Sequence, residues 1–233
     1  MTRLVLWDID GTLIDGVGLG RDAFVEAFER VTGSSPDRLV PFAGRTDLEI
    51  ALDLLETAGI RDGQGLLDDF QEALALAMAE RGELLRELGR SLPGAHEAIE
   101  RLSREPGVLQ SLLTGNIEPN AHVKLGAFGL TRNLDMDIGA YGSDHRRRGE
   151  LVAVALRKAH ERRELTLAPA DVVLIGDTPL DVAAALQGGA RAVAVASGPY
   201  EEDALREAGA HAVLADLTDP EAVATAVLGT NAR

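Results

Sequence analysis

The chain has 233 residues, no cysteine, few aromatic side chains and a formal charge of −15. The missing cysteines exclude a disulfide framework and zinc–thiolate sites, and the acidic balance argues against general binding to nucleic-acid phosphates. No apolar stretch is long enough to span a membrane and no basic-then-apolar leader opens the chain, so a cytoplasmic protein without membrane contact is expected.

The length suits one large domain or a core with a smaller insert. The apolar run Leu4-Val5-Leu6-Trp7 lies in a strand over Arg3 to Trp7, and its even hydrophobicity predicts a central parallel strand covered on both faces. Asp8-Ile9-Asp10-Gly11-Thr12 follows, and the glycine-studded Gly16-Val17-Gly18-Leu19-Gly20 reads as a flexible exit. Ala23, Phe24, Ala27, Phe28 and Val31 form one helical stripe. After a break over 33–41, further helices are predicted over 47–58, 66–80 and on to about 88. Residues 16–90 therefore read as an all-helical insert. Beyond Ser91-Leu92-Pro93-Gly94 the pattern alternates. Helices are predicted over 95–104, 119–128, 151–162, from 179 and over 201–208, with strands over 108–113, 136–140, 172–175 and 192–196. Such βα alternation predicts an α/β fold with a doubly wound parallel sheet, its core built from 1–15 and 91–233.

Three strands end in polar, turn-forming groups: Asp8 to Thr12, Thr114-Gly115-Asn116, and Gly176-Asp177-Thr178-Pro179-Leu180-Asp181. Right-handed crossovers bring such ends to one edge of the sheet, where ligands bind. The ordered set Asp-x-Asp-Gly-Thr, Leu-Thr-Gly-Asn and Ile-Gly-Asp-x-x-x-Asp resembles the haloacid dehalogenase-like hydrolase superfamily over essentially the whole chain. The helical insert after the first motif resembles that superfamily's C1-type cap. The resemblance implies a Mg²⁺-dependent phosphatase working through an aspartyl-phosphate.

The chemistry of the residues agrees. Asp8 is placed as a nucleophile toward phosphorus. Asp10 suits a general acid to the leaving oxygen and then a base for water. Asp8, the backbone carbonyl of Asp10 and Asp177 offer oxygen ligands for Mg²⁺. Thr114 and the amides of Gly115 and Asn116 can donate to phosphoryl oxygens, joined by the backbone at Ile9 and Gly11. Asp181 has two readings: a capping box with Thr178 at the start of a helix, and a place in the metal's shell. An EF-hand reading of the first motif fails, because Thr12, Leu13 and Leu19 stand where a ligand, a glycine and a glutamate are needed.

The family's third motif is usually a lysine, often followed by proline, and no Lys-Pro occurs here. Arg146-Arg147-Arg148 lies at the matching stretch, and Arg148 fits the spacing best. Lys124 is the other candidate, although about 12 Å of helix axis from Asn116 argues against direct contact. Gly44-Arg45-Thr46-Asp47 reads as a loop entering a helix, capped by Thr46 or Asp47. The resemblance implies that this loop faces the site and that Arg45 touches substrate. The five histidines show no ligand spacing. A phosphomonoester hydrolase acting on a small soluble phosphorylated metabolite is the expected function, and a sugar phosphomutase shares its first step. A carbon–halogen hydrolase needs neither metal nor an acid at Asp10, and a non-catalytic binding module has no use for the retained acids.

Overall fold

A computed structural model describes residues 2–229. The chain starts with β1 (Arg3–Trp7) and the short β2 (Ile14–Asp15). Helices α1 (Leu19–Thr32), α2 (Asp47–Thr57), α3 (Leu67–Glu80) and α4 (Gly82–Leu88) follow. The chain returns through β3 (Arg90–Ser91), which pairs antiparallel with β2. From there it alternates: α5 (Ala95–Ser103), β4 (Val108–Leu112), α6 (Glu118–Ala127), α7 (Leu151–Arg163) and β5 (Val172–Gly176). The last elements are α8 (Pro179–Gln187), β6 (Arg191–Val195), α9 (Glu202–Glu207), β7 (Ala212–Leu214) and α10 (Pro220–Leu228). Among the described residues no helix is long and apolar enough to cross a membrane.

Five strands form one parallel sheet in the order β4-β1-β5-β6-β7. Side chains alternate across it. Leu4, Leu6, Leu174, Ala192 and Ala194 pack with α7 and α8 on one face. Val5, Trp7, Val173, Ile175, Val193 and Val195 pack with α5, α6 and α10 on the other. Both faces are covered, which is why these strands read as unbroken apolar runs. The helical insertion between β1 and β4 has its own core, with Phe24, Phe28, Leu54, Phe70, Leu74 and Met78 at its centre and Ile117 reaching in from the sheet side. Phe24 meets Phe42 edge-on at 5.1 Å between ring centres, a favoured aromatic geometry.

Register positions the site. Trp7 is level with Leu112 of β4 and Ile175 of β5. The chain therefore leaves all three strands at the same edge, carrying Thr114, Asp8 and Asp177.

Two regions differ from the sequence expectation. Residues 136–140 are not a strand: Met136–Ile138 is a 3₁₀ turn, and only Ala140 bridges to Leu113 at the sheet edge. The reason is electrostatic and lies in contacts with a later helix. Arg163 holds both Asp135 (2.6 Å) and Asp137 (2.8 Å), and Tyr141 donates to the Met136 carbonyl, which together curl the segment. At the other end, β7 and α10 extend the fold past the last predicted helix. Their signal is Asp219-Pro220, where Asp219 accepts from the amides of Glu221 and Ala222 as a helix N-cap.

Gly94 starts α5 with a φ of 83°, and a methyl group there would lie 2.0 Å from the Leu217 carbonyl. Gly94→Ala is expected to cost at least about 1–3 kcal/mol, from a left-handed backbone plus a clash that displaces the chain entering α10. A chemical-denaturation midpoint equal to wild type would contradict that contact.

Candidate active site

The turn after β1 is built on the Ile9 carbonyl, which accepts from the amides of Thr12, Leu13 and Ile14 at 3.3, 2.9 and 3.0 Å. Gly11 has a φ of 81°, and any side chain there would strike Asp177, 2.4 Å away. Glycine is thus required both for the backbone conformation and for the close approach. The turn aims Asp8 inward, 5% exposed, and sends Asp10 toward the cleft, where 47% of its side chain is exposed.

Asp8, Asp177 and Asp181 present carboxylate oxygens within 4.8 Å of one another, and all three are buried. Arg148 is the cation among them, 2.8 Å from Asp8 Oδ1 and 2.5 Å from Asp181 Oδ1. Asp177 accepts from Thr12 Oγ1 at 3.1 Å. Asp181 is also the partner of Thr178 in a capping box: the hydroxyl of Thr178 donates to its Oδ2 (2.6 Å) and accepts from its amide (3.2 Å). The cap fixes one oxygen and leaves the other facing the cluster.

Charge in this cluster is unbalanced. Burial pushes Asp8 up to about 6, against the pull of Arg148. Burial, then the charges of Asp181 and Asp8, push Asp177 up to about 8. Burial disfavours the charge on Arg148 too, but Asp181 and Asp8 outweigh it and hold the guanidinium firmly protonated. One guanidinium among three buried carboxylates leaves room for a divalent cation, and an all-oxygen donor set suits Mg²⁺.

A second group lies alongside. Lys124 reaches both oxygens of Asp10, at 2.8 and 2.6 Å, and Asn116 Oδ1 at 2.7 Å. Asn116 donates through Nδ2 to Asp10 (2.7 Å) and to Thr114 Oγ1 (2.8 Å). Loss of solvent on the cleft wall raises the Asp10 carboxyl, but the Lys124 charge and hydrogen bond, then Asn116, outweigh that and hold it below the ordinary range. The expected obstacle of helix length is overcome because helical side chains lean toward the N-terminus and lysine adds a long stem.

The segment before α2 clasps this edge. Asp47 donates its amide to the Gly115 carbonyl (2.7 Å) and accepts on Oδ2 from the Ile117 amide (2.8 Å). Thr46 Oγ1 donates to the Arg146 carbonyl at 2.5 Å and caps α2. Arg45 lines the cleft, but its guanidinium is engaged within the insert by Asp53 (2.5 Å) and Glu49 (3.1 Å). The cleft encloses about 760 Å³ and is lined by Asp8, Asp10, Thr114–Asn116, Lys124, Arg148 and Asp177, among others.

Of the expected backbone donors, Gly11 does not fit: its amide already donates to the Ile14 carbonyl at 2.9 Å, closing the turn. The amides of Ile9 and Gly115 have no protein acceptor among the described residues. Sequence reasoning missed Thr12, Ser197 and Gly198, and saw Asp47 only as a helix cap. Ser197 donates to the Gly11 carbonyl (2.7 Å), and a methyl group on Gly198 would lie 1.7 Å from Asp177. The small residues Ser197-Gly198 at the end of β6 were the available signal. Arg21, laid over the Phe42 ring at 5.4 Å, also lines the cleft.

A parallel sheet with a helical insert and an acid-bearing edge is the frame of the haloacid dehalogenase-like hydrolases, whose family profile matches residues 5–186. The chain belongs to that family. It is 27% identical to Probable phosphatase IndB of Dickeya dadantii, over 98% of this chain and 96% of that protein. A hydrolase from Pseudomonas syringae is 25% identical and superposes with a TM-score of 0.68, over 94% of this chain and 95% of the other. CbbY from Rhodobacter sphaeroides, in complex with phosphate, is 21% identical with a TM-score of 0.65, covering 94% and 96% of the two chains. That last likeness speaks for the fold alone.

Burial raises the Asp47 carboxyl to about 7, against the opposing pulls of Lys124 and the Ile117 amide. A folded value above the unfolded one means stability present at low pH and lost as pH rises toward 7. Asp47→Asn keeps an acceptor for Ile117 without the buried charge. The variant's stability relative to wild type is expected to improve by up to about 1.4 kcal/mol per pH unit between pH 4 and 7. Parallel stability–pH curves for the two proteins would refute this.

Proposed function

We propose that the protein is a Mg²⁺-dependent phosphomonoester hydrolase acting in the cytoplasm on a small phosphorylated metabolite. The observation that carries this reading is the pairing of two acids with opposite settings. Asp8 is buried against Arg148 beside Asp177 and Asp181, while Asp10, two residues on, opens to the cleft. Asp8, Asp177 and Asp181, with the backbone carbonyl of Asp10, would hold the ion, which when bound offsets the repulsion between the Asp8 carboxylate and a phosphate.

Asp8 attacks phosphorus, the ester P–O bond breaks, and the leaving oxygen takes a proton from Asp10. A phosphate dianion entering beside Asp10 raises its proton affinity, which counters the effect of Lys124. In the second step Asp10 accepts a proton from water as the water oxygen attacks phospho-Asp8. The bond to Asp8 then breaks and inorganic phosphate leaves. Thr114 and the amide of Gly115 donate to the phosphoryl oxygens, joined by the Asn116 amide once it leaves Thr114 Oγ1, and Arg148 adds a charge-assisted contact. The insert over 16–90 serves as a cap that excludes bulk water, hinging at 15–20 and 88–94, near the β2–β3 pair. Arg45 contacts substrate once it is released from Glu49 and Asp53.

The test is a screen of phosphate monoesters by kcat/KM, with and without Mg²⁺. Wild type is expected to release phosphate only with the metal. Asp8→Asn should lose at least about 10⁴-fold in kcat, because an amide cannot attack phosphorus. A folded Asp8→Asn protein with activity within tenfold of wild type would remove Asp8 as the nucleophile.

A further inference from the structure

We infer that Lys124 is the positioning residue of Asp10 and not a ligand of the phosphoryl group. The inference rests on the reading of Asp10 as acid and base, and deepens it. An ammonium group has three donors. Here they face Asp10 Oδ1, Asp10 Oδ2 and Asn116 Oδ1, at 2.8, 2.6 and 2.7 Å. None is left for a phosphoryl oxygen. The phosphate-side role has another occupant, since Arg148 already sits on Asp8 and Asp181.

Contact with both carboxylate oxygens fixes the rotation of the Asp10 side chain as well as its place. Asn116 adds a further donor to Asp10 Oδ2 and is itself held by Thr114. Lys124 is 6% exposed, and Asp10 is its carboxylate partner at 2.6 Å. The insert completes the arrangement. A methyl group on Gly20, in the first turn of α1, would stand 3.4 Å from Lys124 Nζ and 3.9 Å from Cε. A methyl group would only touch the amine, whereas a branched side chain at 20 is expected to crowd it against Asp10. The ammonium is thus the link between the first helix of the insert and the orientation of Asp10.

The test compares full-length wild type, Lys124→Met, Asp10→Asn and the double variant. Two esters are used with Mg²⁺: 4-nitrophenyl phosphate, whose leaving group needs little protonation, and an alkyl phosphate, whose leaving group needs it. Inhibition by inorganic phosphate reports phosphate binding directly. Lys124→Met should lose about 10²-fold or more in kcat on the alkyl ester and far less on the aryl ester, as Asp10→Asn does. Phosphate inhibition should change less than about threefold, and the double variant should be no slower than the slower single one. Gly20→Val keeps the lysine and should reproduce the selective loss, which keeps the inference testable should Lys124→Met fail to fold. Equal losses on both esters with at least about tenfold weaker phosphate inhibition would make Lys124 a phosphate ligand and overturn the inference. Multiplying losses in the double variant would overturn it too. Failure of Asp10→Asn to discriminate between the esters would instead remove the acid–base reading beneath it.

Discussion

The structure depends on concentrated negative charge at one edge of a parallel sheet. Asp8, Asp177 and Asp181 are buried within reach of each other, with Arg148 among them. Buried like charges are costly, and the raised proton affinities of Asp8 and Asp177 express that cost. A fold selected only for stability would replace such a cluster with hydrocarbon. Its presence, in a chain of the haloacid dehalogenase-like hydrolase family, fits a site completed by a divalent cation.

Much of the surrounding structure holds this charge in place. Gly11 and Gly198 exist as glycines because Asp177 occupies the space a side chain would take. Thr12 donates to Asp177, Thr178 to Asp181, and Ser197 to the carbonyl of Gly11. The insert is tied to the same edge by the Thr46 hydroxyl on the Arg146 carbonyl and by Asp47, whose amide and carboxylate hold Gly115 and Ile117, so Asp47 and the cleft share the loop 114–117. Any motion of the insert that breaks the clasp therefore disturbs Gly115 and Ile117, the neighbours of Thr114 and Asn116 in the cleft.

Much of the fold was legible in the sequence, for a physical reason. Strands covered on both faces read as apolar runs, and their ends are marked by Asp8-Ile9-Asp10-Gly11, Thr114-Gly115-Asn116 and Gly176-Asp177. What was not legible depends on tertiary contact. Met136 to Ala140 has strand-like composition, but Arg163 draws Asp135 and Asp137 into a turn. Direct contact of Lys124 with the site was discounted from its helix rise beyond Asn116 alone, which ignores the lean of the side chain and the length of its stem; its partner Asp10 was not foreseen. Asp47 offered only a helix-cap signal, since its partner Ile117 is 70 residues away. The engagement of Arg45 was readable in principle, because Glu49 and Asp53 follow at helical spacing on the same face of α2.

The most direct test of the charge-deficit account is anomalous diffraction from crystals of the protein soaked with Mn²⁺, a spectroscopic stand-in for Mg²⁺ that also takes oxygen ligands. The account requires a single strong peak about 2.0–2.3 Å from carboxylate oxygens of Asp8 and Asp177, lost in Asp177→Asn. Ions bound only elsewhere, with Asp8 and Asp177 still held by protein groups alone, would contradict it.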